Sequence, residues 1–158
     1  MPSVGIVGNN GREITRAFLR MSQGTANCYH ITDKQPHGPK VDILVASEAS
    51  PVLERVIPSL GSDNFLIINA DDTSIFSMLE NITMPENYKL ITYGFNNRAC
   101  ITASSVTNDG VQVCIQRGFT TICGEEREPH EFSARFSNGE NSMSILGAAA
   151  AWAVLNTN

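Results

Sequence analysis

The sequence predicts an α/β fold, a mostly parallel, doubly wound sheet in three layers with a small antiparallel hairpin sheet added. Three observations predict it. Short apolar runs alternate with helical patterns over residues 1–98, several of these runs are apolar without a break, and an Asn-Asp-Gly turn signal at 108–110 then starts a different rhythm. Unbroken apolar runs suit parallel strands covered on both faces, and strand–helix alternation implies crossover connections. A single domain is expected, with a parallel α/β part over 1–98, antiparallel hairpins over 99–136 and a C-terminal helix within 137–158. At 158 residues such a chain can bury a core without disulfides or metal.

The elements follow in order. Residues 3–7 read as a buried strand, and residues 12–22 as a helix carrying Ile14, Ala17, Phe18 and Met21 at helical spacing, closed by Gly24 and Thr25. A second strand is expected over 26–31, followed by a polar loop with Pro36, Gly38 and Pro39, and a third strand over 41–46. A short helix over 52–57 is expected to end at Pro58, and a fourth strand over 65–69 leads to Asp71 and Asp72, which suit capping of a helix over 74–81 or holding a turn. The fifth strand is 89–94. Runs at 99–103 and 111–115 flank the turn signal as a hairpin, with further antiparallel strands expected over 118–123 and 130–136. The chain closes with an Ala-rich helix over 142–155, whose expected buried face is Ile145, Ala148, Ala149, Trp152 and Leu155. The run Ala148 to Ala151 is small enough to admit a sheet or a partner helix, so a homo-oligomer contact is one expectation.

Composition narrows the partners. Eleven Lys and Arg against sixteen Asp and Glu give a net charge of −5, so the basic footprint that duplex nucleic acid requires is missing. No apolar run reaches membrane-spanning length, and the start of the chain lacks signal-peptide character, so no membrane partner and a cytoplasmic location are expected. Cys28, Cys100, Cys114 and Cys123 form no Cys-x-x-Cys pair and read as small buried hydrophobes on strands. His30, His37 and His130 are scattered, none at metal-ligand spacing.

The candidate site is the turn after the first strand. In Gly5-Ile6-Val7-Gly8-Asn9-Asn10-Gly11-Arg12-Glu13, glycines punctuate the passage from strand to helix. A helix N-terminus offers backbone N–H groups and partial positive charge, and glycines let an anion come close. Gly8, Asn9, Asn10, Gly11, Arg12 and Glu13 are therefore the candidate cofactor-binding residues, against the alternative of a strand-to-helix turn with no ligand. A phosphate loop of the Walker type has Lys after its last glycine and then Ser or Thr for Mg²⁺; Arg12 and Glu13 stand there.

Four segments in series resemble the central ATP-binding domain of the Mur ligase family, a P-loop NTPase-like fold whose relatives include folylpolyglutamate synthase and cyanophycin synthetase. They are Gly5-x-x-Gly8-x-Asn10-Gly11; Glu48 after a strand; Asn69-x-Asp71-Asp72 at a strand end; and Asn141-x-x-Ser144-x-x-x-Ala148 opening the last helix. The resemblance implies ATP as cofactor, Asn141 beside the nucleotide, Glu48 as a ligand of Mg²⁺, and amide-bond formation through an acyl phosphate in peptidoglycan or peptide synthesis. Several parts that this chemistry uses differ. Arg12 replaces the Lys, Glu13 replaces the Thr, Ser144 replaces a second Asn, and only Ser59 to Asn64 fill the place of a longer metal-binding segment. The flanking domains of the family have no counterpart in this sequence. The expectation is a degenerate, non-catalytic domain that binds a nucleotide or another anion weakly or serves as an interaction module. The alternative is an ATP-dependent, ADP-forming ligase component completed by a larger partner chain.

Overall fold

The computed structural model describes residues 1–34, 40–61, 63–137 and 139–155. His37 and the Pro36–Pro39 loop lie outside the described residues. Five strands, β1 (Ser3–Val7), β2 (Asn27–His30), β3 (Ile43–Ala46), β4 (Phe65–Asn69) and β5 (Lys89–Tyr93), pair in parallel in the order β2-β1-β3-β4-β5. Alternate residues of these strands serve two cores. Val4, Ile6, Ile43, Val45, Phe65 and Ile67 pack toward α1 (Gly11–Ser22) and α4 (Ser142–Leu155), whereas Val7, Leu44, Ala46, Leu66 and Ile68 pack toward α2 (Pro51–Val56) and α3 (Thr73–Leu79). Both faces of β1, β3 and β4 are therefore apolar, which is why the sequence shows unbroken runs there. The α/β expectation is met in its three layers.

The antiparallel part differs from expectation in where it attaches. β6 (Ile101–Val106) touches β5 only through the parallel pair Tyr93 and Ile101, so it starts where β5 stops and carries the sheet onward. β7 (Gly110–Ile115) and β10 (His130–Arg135) then add antiparallel strands, giving eight strands in one sheet among the described residues. The separate small sheet is confined to β8 (Phe119–Thr120) and β9 (Glu126–Arg127). The strand expected over 118–123 is cut short because the chain turns to close the end of α4. There the Ile122 N–H donates to the Val154 carbonyl at 2.9 Å and Arg127 Nε to the Ala153 carbonyl at 2.8 Å. The last carbonyls of a helix need such donors.

Two further expectations are corrected. The helix α4 is buried all round, with Ser144 to Ala151 inaccessible, and Trp152, assigned to the buried face, is half-buried against Phe132. The alanines let α1 and the sheet close in, so that run is consumed within the chain. Pro58 ends its helix as expected: α2 stops at Val56, the Ile57 N–H makes the last bond four residues back, to the Leu53 carbonyl, and Pro58, with no N–H to make the next, sits in a 3₁₀ turn, Ile57–Ser59. Cys100 is buried and Cys28 and Cys114 are half-buried, but Cys123 is exposed because it belongs to the turn that closes α4. Burial pushes the Cys28 thiol up to about 11, away from thiolate chemistry. No helix among the described residues is long and apolar enough to cross a membrane.

Candidate functional site at the carboxyl ends of the strands

From the gap between β1 and β3 the chain order runs outward in both directions, to β2 on one side and to β4 and β5 on the other. Open α/β sheets bind ligands at such a switch point, beyond the carboxyl ends of the strands. β1 delivers Gly8 at φ +132°, where a side chain would collide with the Ser47 hydroxyl. Ser47, at the end of β3, donates its N–H and its hydroxyl to the Val7 carbonyl at 2.9 and 3.1 Å, which clamps the two strand ends together. Gly11 opens α1 directly under the His30 ring, so a Cβ has no room there either. The Gly8 carbonyl accepts from the Gly11 N–H at 3.0 Å, and His30 Nε2 lies 3.2 Å from it.

The loop already holds an anion of its own. The Asn9 N–H donates to Glu48 Oε1 at 2.6 Å, a charge-assisted bond to a donor that a bound phosphate would otherwise use. The same arrangement repeats along the edge. The Ala49 N–H donates to Asp72 Oδ2 at 3.0 Å, and the N–H groups of Phe95 and Asn96 donate to Asp71 at 2.7 and 3.0 Å. Asn69 braces the row, accepting from the Asp71 N–H and donating to the Ser47 carbonyl at 3.1 Å. Asp72 also caps α3 through the Ser74 N–H and hydroxyl, as expected from the sequence, and these bonds hold its carboxyl below the usual carboxylate range. The Ser74 hydroxyl is the largest cause; burial opposes it.

The predicted residues therefore divide. Gly8, Asn9 and Glu48 line a cleft of about 380 Å³ beyond β1, β2 and β3, whereas Asn10, Gly11, Arg12, Glu13 and Asn141 do not. Glu13 instead accepts from the Asn141 N–H at 2.5 Å and from its Nδ2 at 3.3 Å, while Asn141 Oδ1 accepts from the Ser144 N–H and caps α4. This pair clasps the two long helices. Arg12 is exposed and forms no ion pair among the described residues. The sequence reading missed His30, Thr32 and Asp33, which supply the β2 side of the cleft. The signal for Asp33 was available, an acid just past the second strand and roughly 20 residues beyond the glycine turn.

The donor set does not suit a protein-held metal. Glu48, Asp71 and Asp72 each spend oxygens on backbone N–H groups, and no group of three His, Cys, Asp or Glu side chains converges among the described residues. Phosphates are served no better: among the described residues no Lys or Arg lines the cleft itself, and Arg55 Nη2 donates to the carbonyl of the lining residue Thr32 at 3.3 Å.

Comparison with solved structures returns this architecture. The chain is similar to a MurF ligase from Thermotoga maritima, crystallised in complex with ADP, at a TM-score of 0.58 and 10% identity. The fold is Mur-ligase-like. The match covers 97% of this chain and 44% of that MurF chain, so less than half of the ligase's length is represented. No family model matches the sequence, and no curated protein matches it either.

Proposed function

We propose that this chain is a Mur-ligase-like domain that binds a nucleotide in the switch-point cleft and does not form amide bonds by itself. The observation that carries this reading is the Glu48 carboxylate on the Asn9 N–H. A loop that gathers a triphosphate for acyl-phosphate chemistry needs free donors, a cation and a metal acting together. Here a resident carboxylate takes one donor, no Lys or Arg among the described residues lines the cleft and Glu13 is committed to Asn141. Nucleotide as the ligand class is supported by the position of the cleft and by the ADP in the MurF complex. Titration calorimetry with ADP and a coupled assay of ATP turnover test the reading together. Binding of a nucleotide or its nucleoside part without turnover, with or without Mg²⁺, is expected; Mg²⁺-dependent release of ADP from ATP would overturn the non-catalytic half.

A second reading, a ligase component completed by a partner, draws support from Phe76 and Phe95, which are 40% and 44% exposed near the same edge. Copurification from the native host with a larger amide ligase, and ATP turnover only in that complex, is its expected signature. A lone species without such turnover speaks against it.

A further inference from the structure

The two ends of a nucleotide make opposite demands on a protein: the phosphates need cations and free N–H groups, and the ribose needs acceptors for a vicinal diol. The cleft offers the second set. Its charged side chains are two carboxylates, Asp33 and Glu48, and Pro51 is the exposed apolar residue of its lining, with Ile31 and Val52 buried beneath. Asp33 stands just past β2, where an acid in a doubly wound sheet is placed to accept from ribose hydroxyls, and the volume falls within the roughly 300–1,000 Å³ usual for small-molecule sites. At the glycine turn the Asn9 N–H is closed by Glu48.

We propose that the cleft selects the nucleoside rather than the phosphate end of its ligand: Asp33 accepts from the ribose hydroxyls, the base lies on Pro51, and Glu48 repels a polyphosphate tail. The inference rests on the reading above that the cleft is the nucleotide site, and it reverses the preference that the glycine turn suggests. Adenosine should then bind more tightly than AMP, and AMP more tightly than ADP, because each phosphate adds negative charge beside the Asp33 and Glu48 carboxylates.

Titration calorimetry of the whole chain with adenosine, AMP and ADP, without metal, gives the order. Two variants of similar shape separate the roles, with unchanged circular dichroism as the check on folding. Asp33→Asn should weaken adenosine about tenfold, in line with the loss of a charge-assisted hydrogen bond. Glu48→Gln should instead tighten ADP several-fold and narrow the gap to adenosine. If ADP binds the unaltered protein at least as tightly as adenosine, or if Asp33→Asn leaves adenosine unaffected, the inference is overturned while nucleotide binding stands. If neither adenosine nor ADP binds, the nucleotide reading falls with it.

Discussion

The two faces of the sheet are built differently. On one, α1 and α4 run for 12 and 14 residues and merge with the strands into one apolar core. On the other, α2 and α3 have 6 and 7 residues, and their starts are fixed by polar caps, Ser50 for one and Asp72 for the other. Helices this short contribute little by themselves and depend on packing and caps. The cleft opens on the thin face, beside α2, while the thick face closes the other flank of the glycine turn with the Glu13–Asn141 clasp. The short helices and the cleft thus fall on the same side of the molecule, as the binding proposed above requires.

The largest expected effect tests that contrast directly. Phe18 in α1 and Leu53 in α2 are both fully buried, one in each core. Truncating them should cost about 3–5 kcal/mol for Phe18→Ala and about 2–3 kcal/mol for Leu53→Ala, the smaller value because a short helix over a cleft can settle into the space left. Urea unfolding measures both. A greater loss for Leu53→Ala would break the comparison, since the thin face would then hold the larger share of the stability.

The thick face was the more legible in the sequence. Ile14, Ala17 and Phe18 on α1 could be taken from periodicity because a long helix repeats its pattern several times, and α4 from its unbroken run of small and apolar residues. The hairpin turn at 108–110 was equally plain, though not that its strands continue the main sheet; that depends on the single Tyr93–Ile101 pair, which no local pattern encodes. The site was read in part. Gly8, Asn9 and Glu48 line one cleft, but the carboxylate-to-backbone bonds that spend Glu48, Asp71 and Asp72 join loops far apart in sequence. His30 gave no motif at all, since its role follows from the missing side chain of Gly11.

That contact supplies the next prediction, at the junction of the two faces. Alanine at Gly11 places a methyl group against the His30 ring, so Gly11→Ala should destabilise by about 1–2 kcal/mol despite the better helix propensity of Ala. Adding His30→Ala should recover most of that loss. The double-mutant cycle is the readout: strong coupling locates the strain between α1 and β2, and simple additivity would mean that the loss arises elsewhere in the turn.

The smallest expected effect concerns the polar links of the thin face, and it has a sign. Asp72 is held below the usual carboxylate range, first by the Ser74 hydroxyl and further by the N–H groups of Ala49 and Ser74, so folding favours its ionised form. Its contribution is complete above the unfolded value of about 3.9 and is lost as the pH falls through the lower folded value. Asp72→Asn keeps a competent N-cap and removes the charge, so it should cost less than about 1 kcal/mol at neutral pH. Paired urea titrations of the two proteins at neutral pH and near pH 2 cancel the other carboxylates, which both share. The difference should shrink on acidification, and the Ala49 amide should exchange faster in the variant at neutral pH. A difference that grows in acid would mean that the carboxylate is a burden to the folded state, and the β3–α2 loop would then have to be held at the cleft by its packing alone.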